Sequence, residues 1–181
     1  MKVKFTKLKD IHLEMVRNWR NTDEVSKYMY TDHYISKDEH LSWFNRVKKD
    51  PTKIYWMIEV NGAYVGVVNL YDISTLNKRC YWAYYIADPT VRGKGLGRII
   101  ELNILNYVFE ELELNKLCCE VLSFNEIVVK IHQKYGSKIE GKFRQHIFKN
   151  GKFYDIFCMG ILKEDWINLK EQFEFEKIEI E

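Results

Sequence analysis

Between positions 92 and 98 the chain reads Arg-Gly-Lys-Gly-Leu-Gly-Arg, set between a stretch patterned like a strand and a stretch patterned like a helix. Glycine adopts backbone conformations closed to other residues and leaves neighbouring amides uncovered. A turn of this composition at a strand end and a helix start therefore forms a concave row of N–H groups suited to an anion, and it also lets strand and helix pack closely. The spacing GxxxxGK[ST] of nucleotide-triphosphate loops is absent, and the dinucleotide fingerprint fails because its third glycine would fall on Arg98. What remains is R/Q-x-x-G-x-G/A, met by Arg92, Gly95 and Gly97.

The flanking segments give the turn its context. Upstream, IYWMIEV and AYVGVVNLY bracket Asn61-Gly62, the strongest short hairpin signal, and CYWAYYI follows as a third strand. Downstream, Leu96, Ile100, Ile104 and Val108 recur with the step of an amphipathic helix. Lys116 to Leu122 reads as a strand and Asn125 to Tyr135 as a helix through Val128, Ile131 and Tyr135. A second hairpin follows about Asn150-Gly151. Near the start, Val3 to Leu8 alternates like a strand, and Ile11, Met15 and Trp19 carry helical spacing. Ser36 with Glu39 forms a capping-box pair ahead of a helix ending near Asp50-Pro51. The aromatic and polar segment VSKYMYTDHYI between those helices is expected to be a shaped loop forming a pocket wall. With no repeat and no linker, residues 1–181 are expected to be one α/β (α+β) domain, with 163–181 a charged, helix-like tail.

Composition removes several functions. Lys plus Arg number 28 against 26 for Asp plus Glu, a net +2 that gives no global field for nucleic acid or an anionic membrane. Any anion must be held locally. No apolar run approaches the ~18 residues of a membrane span, and the N-terminus does not read as a signal peptide. The four cysteines, Cys80, Cys118, Cys119 and Cys158, contain no CxxC, which fits a reducing cytoplasm. The five histidines lack metal-ligand spacing, so no metal is expected.

The stretch VRGKGLGR between a three-stranded meander and an amphipathic helix resembles the coenzyme loop of the GCN5-related N-acetyltransferase superfamily, and the element order agrees over nearly the whole chain. The resemblance implies a twisted, mostly antiparallel mixed sheet of about seven strands flanked by helices, with acetyl-CoA in a cleft where two central strands splay. It assigns Arg92, Gly93, Lys94, Gly95, Leu96, Gly97 and Arg98 to the pyrophosphate, and Tyr85, Ile86 and Ala87 to the pantetheine arm through their backbone. Asn125 falls where the family often has an asparagine touching the coenzyme. Seven residues on, where the family's usual tyrosine lies near the thioester sulfur, stands His132.

Acetyl transfer needs a neutral amine, a polarised carbonyl and help for the departing thiolate. A backbone amide near Ile86 or Ala87 can serve the oxyanion. His132 could serve the thiol, whose pKa is near ~8.5, with Tyr135 one turn further as the alternative and helix packing as the plain reading of the histidine. Glu59, Asp72 and His33 are the candidates for a base, with Glu59 foremost.

The N-terminal half, VRNWRNTDEVSKYMYTDHYISKDEHLSWF, together with GVVNLYDI and the closing hairpin, resembles the subgroup that acetylates the 4-amino group of UDP-linked deoxy-amino sugars in pseudaminic acid synthesis. Physically, Arg17 and Arg20 with Lys27 could meet a diphosphate, and Tyr28, Tyr30 and Trp43 could stack on uracil or a sugar, with His33 in the same acceptor stretch. Arg17 and Arg20 as a solvated helix face, and Trp43 as core, are the plain alternatives. The same fold also serves N-terminal acetylation of ribosomal-type proteins, or a non-catalytic acyl-CoA sensor. Sheet edges offered by the hairpins leave a homodimer open.

Overall fold

The computed structural model describes residues 1–181. Both Asn-Gly pairs make the turns expected of them. Asn61 and Gly62 have φ of 50° and 88°, and Asn150 and Gly151 have 48° and 73°, the left-handed pair that matches the twist of a two-residue hairpin. They join β2 (Ile54–Val60) to β3 (Ala63–Ser74) and β6 (Lys138–Lys149) to β7 (Lys152–Leu162). With β1 (Val3–Lys7), β4 (Arg79–Ile86), β5 (Lys116–Leu122) and β8 (Glu179–Ile180), these strands form one sheet in the order β6-β7-β5-β4-β3-β2-β1-β8. Neighbours are antiparallel except β4 with β5 and β1 with β8.

The parallel contact of β4 with β5 is short. It pairs Arg79 with Lys116, Cys80 with Leu117 and Tyr81 with Cys118, and then stops, so Trp82–Ile86 and Cys119–Leu122 diverge. At this level β3 and β4 lie close together: a β-carbon on Gly66 of β3 would lie 2.2 Å from the Tyr85 carbonyl oxygen, so only glycine fits there.

Helices cover the two faces. On one, α4 (Leu96–Asn106), α5 (Glu126–Lys134) and α6 (Lys163–Lys170) meet the side chains of Phe5, Trp56, Ile58, Val68, Leu70 and Trp82. The stripe Leu96, Ile100, Ile104 and Val108 is fully buried there. On the other face, α1 (Leu13–Arg20), α2 (Asp23–Ser26) and α3 (Lys37–Val47) lie over Met57 and Val67, with Val16 as the central contact. Trp56, Met57 and Ile58 thus feed alternate layers, as strand geometry requires.

Three expectations need correction. Ile11 and Met15 are exposed, and His12, just ahead of α1, and Val16 within it are buried instead. The rotation follows from a short 3-10 turn at Asp10–His12, in which the Lys9 amide donates to His12 Nδ1 at 3.0 Å and swings the histidine inward. Of the Ser36–Glu39 box only half forms: Ser36 Oγ accepts from the Glu39 amide, while the Glu39 carboxylate turns to His33. The tail is helical only through Lys170. Beyond it the chain runs extended, lays Phe173, Phe175 and Ile178 on the core, and adds β8 beside β1 as an eighth strand.

Candidate active site

The glycine turn is built as an anion nest. Gly93 and Gly95 have φ of 72° and 86°, and Gly95 is the N-cap of α4 with no side-chain cap. None of the backbone amides from Gly93 to Arg98 donates to another protein group, so a row of N–H donors and the positive end of α4 face outward together. These groups suit the pyrophosphate of a coenzyme without any side chain. Leu96 is buried under the turn, and Lys94 is exposed above it.

The two arginines expected at this anion are employed otherwise. Arg92 donates from Nε and Nη2 to the Ile86 carbonyl, at 3.2 and 2.6 Å, and so ties the turn to the end of β4. Arg98 donates from Nη2 to the Glu174 carbonyl at 2.5 Å and fastens the tail. Both are drawn off by backbone carbonyls that would otherwise lack partners. The Ala87 amide is also committed, to Val65 O at 2.7 Å, which leaves Ile86 of the two amides considered for the oxyanion. Asn125 caps α5 with its side-chain amide unbonded.

Beneath the splay lies a buried polar cluster. His132 Nδ1 is 2.8 Å from Glu101 Oε1, both side chains being nearly inaccessible. The approach is that of an ion pair rather than an aligned hydrogen bond. Tyr84 Oη donates to the same carboxylate oxygen at 3.3 Å, and the rings of Trp82 and Tyr84 flank the imidazole. Burial opposes charge on His132, but the Glu101 carboxylate and the neighbouring Cys119 thiol outweigh it and raise its pKa to about 10. Cys119 is the first residue of β5 past the ladder with β4, so this imidazole sits under the apex of the cleft. Tyr135 is buried against Phe173, one turn farther along, as part of the core.

On the opposite face, a cavity of about 330 Å³ is walled by α1, α3, the loop between α2 and α3, and the middle of β2, β3 and β4. Arg20, Trp43, Tyr55, Asn69 and Tyr85 line it, with Met29, Thr31 and Ile35 from the loop. Arg20 makes no ion pair or hydrogen bond, and its Nε is buried without a partner. Its charge is felt at His40, where burial first and Arg20 second lower the pKa, and at Tyr55 and Tyr85, where burial raises it against Arg20. The Tyr85 hydroxyl is likewise buried and unbonded, so its side chain serves this cavity and only its backbone the cleft.

Of the residues expected on the acceptor side, Arg20 and Trp43 line that cavity, and Arg17, Tyr28, Tyr30 and His33 do not. Arg17 donates to the Tyr34 hydroxyl at 2.9 Å and lies 3.8 Å from Glu14. Tyr28 stacks on Phe124, and His33 pairs with Glu39 at 2.8 Å. Tyr30 donates its hydroxyl to Glu120 Oε2 at 2.7 Å. Glu59, by contrast, stands on β2 with Lys4 at 3.3 Å and Thr6 at 3.5 Å, near the far edge of the sheet, because the β1–β2 pairing sets it opposite Lys4. That position is wrong for a base.

Sequence reasoning passed over three residues. Glu120 lies on β5 two residues beyond the last β4 pairing, across the splay from Ala83. Glu101 interrupts the apolar helix Arg-Ile-Ile-Glu-Leu-Asn-Ile-Leu, a signal that could have marked it. Lys149 precedes a hairpin turn, where lysine is usually solvated, yet it is 3% exposed.

A sheet that opens between two parallel central strands, with an anion nest on one strand's exit and an aromatic, cationic cavity beside the gap, defines an acyl-group transferase. The chain belongs to the acetyltransferase (GNAT) domain family, whose model matches residues 2–138. It is 32% identical over 130 residues to the acetyltransferase PseH of Campylobacter jejuni, covering 72% of this chain and 79% of that protein. It is also 27% identical over 160 residues to the spermidine N(1)-acetyltransferase of Vibrio cholerae, covering 88% and 92%. The solved structure of spermidine N-acetyltransferase from Vibrio cholerae with CoA and spermine superposes with a TM-score of 0.85 at 25% identity, over 92% of this chain and 99% of that one. The chain is thus an N-acetyltransferase. No helix is long and apolar enough to cross a membrane.

Proposed function

We propose that the protein transfers the acetyl group of acetyl-CoA to the 4-amino group of a UDP-linked 4-amino-4,6-dideoxy sugar. The observation that carries this reading is Arg20, a guanidinium without a counter-ion inside the cavity beside the cleft. The cavity's other charged walls are Arg46 and Glu39, and Glu39 is already held by His33. A site of this sign suits a diphosphate better than a polyamine, which supports the nucleotide-sugar reading over the spermidine reading that similarity alone leaves level. Trp43, Tyr55 and Tyr85 supply flat apolar faces for a base or sugar ring.

Within this reading the Gly93–Arg98 amides hold the coenzyme's pyrophosphate, and the Ile86 amide meets the carbonyl oxygen as charge develops there. Glu120 accepts a proton from the incoming ammonium, directly or through water, when the Tyr30 hydroxyl yields its place. The amine nitrogen then bonds to the acetyl carbon as the carbon–sulfur bond breaks. His132, whose charged form the Glu101 carboxylate favours, steadies the developing thiolate by charge, and the second proton of the attacking nitrogen passes to the sulfur, so that the amide is left neutral and coenzyme A departs as the thiol. Transfer is direct, in a ternary complex. The four unpaired cysteines accord with a cytoplasmic protein, and exposed Phe143, Phe148 and Phe153 on the β6–β7 hairpin accord with a homodimer.

Binding of UDP, followed by quenching of tryptophan fluorescence, tests the assignment. Wild type should bind, and Arg20→Gln should lose at least about tenfold in affinity, the share expected of a charge-assisted contact. Equal binding by both would remove Arg20 from the acceptor site.

A further inference from the structure

The Lys149 ammonium is almost completely buried, with no carboxylate within ion-pair distance. It donates instead to three backbone carbonyls of one loop: Ser26 at 2.5 Å, Met29 at 2.6 Å and Thr31 at 3.2 Å. An ammonium has three N–H donors and no acceptor, so this set satisfies it completely and turns the loop's carbonyls toward a single point. The neighbouring Asn150 amide adds a bond to Asp32 Oδ2 at 3.1 Å. The loop so gathered is the one whose Met29 and Thr31 line the acceptor cavity.

We infer that Lys149 is a positioning residue for the acceptor: from the turn of the β6–β7 hairpin it fixes the α2–α3 loop in the shape that receives the acceptor sugar. The inference rests on the acceptor site assigned above. Burial lowers the pKa of Lys149, with Arg20 acting in the same direction and Asp32 against it. Lys27 and Tyr154 line the same small pocket as Lys149. A shorter or apolar side chain leaves three inward carbonyls unpaired, and the loop must reopen to solvate them. Arginine keeps the charge, but its planar fork cannot point three donors at one ring of carbonyls.

Amide exchange of the full chain, free of ligand, reads the clamp without needing the acceptor. In Lys149→Met the amides of 26–35 should exchange at least about tenfold faster while those of α4 and β5 keep wild-type rates, and Lys149→Arg should fall between. Unchanged loop exchange, or equal acceleration throughout the molecule, would overturn the inference. In turnover, Lys149→Met and Lys149→Arg should raise KM for the UDP-amino sugar about tenfold and leave KM for acetyl-CoA unchanged. If wild type turns over no such sugar, the acceptor assignment fails, and the exchange rates still decide whether Lys149 holds the loop.

Discussion

His132 and Glu101 meet 2.8 Å apart beneath the point where β4 and β5 separate, with Tyr84 bound to the same carboxylate. The family's usual tyrosine is a neutral donor of high pKa; here a buried imidazole acquires a similar pKa, about 10, from a buried carboxylate. Replacing Glu101 with Gln should let burial dominate and drop the His132 pKa below its ordinary ~6.5. The pH–rate profile of kcat should lose its plateau near neutrality, with a decrease of about tenfold or more at pH 7.5. A profile matching wild type would mean that His132 does not carry the charge used in the reaction.

The same pair makes stability depend on pH. The folded pKa of His132 is raised above its unfolded value, so the native state holds the extra proton. Its contribution is complete below about 6.5 and is lost as pH rises through about 10. Urea unfolding at pH 6.5 and pH 9 should show a larger loss of stability for wild type than for His132→Phe, which lacks the titrating group. Parallel losses in the two proteins would contradict the linkage.

Gly95 caps α4 with φ of 86°, where a β-branched residue is strained although no atom stands in its way. Gly95→Val should therefore displace the amides behind it and weaken coenzyme A binding at least about tenfold, measured by calorimetry. The helix stripe should keep the variant folded. Retained affinity would show that these amides do not hold the pyrophosphate.

The hairpins, the helix stripe through Leu96, Ile100 and Ile104, and the glycine turn were legible because each is a local pattern whose partners are close in sequence. The inward turn of His12 was not, since it depends on one bond to the Lys9 amide that displaces the apparent face of Ile11 and Met15. The bonds of Arg92 and Arg98 were not legible, because the carbonyls that hold them, Ile86 and Glu174, are placed by the fold. Glu120 and Lys149 became visible only when β5 and the second hairpin were set against a loop some 90 and 120 residues earlier.

The tail shows the same dependence on distant partners. Asn103, buried in α4, donates to Glu176 O at 3.2 Å and accepts from the Ile178 amide at 3.0 Å, which holds the extended segment leading to β8. Asn103→Leu should lower stability by about 2 kcal/mol by leaving those groups unpaired. Specific activity of the folded fraction should be preserved, as checked by urea unfolding and an assay at 25 °C. A large loss of activity at unchanged stability would link the tail to the site.

Thiol release from acetyl-CoA, with purified protein offered a UDP-4-amino-4,6-dideoxy sugar, spermidine, a set of N-terminal peptides and no acceptor in parallel, tests the acceptor assignment most directly. Turnover with the nucleotide sugar, reduced in Arg20→Gln through KM, is the predicted result. Turnover with spermidine or a peptide and none with the sugar would contradict the reading of Arg20 as the anchor of an anionic acceptor.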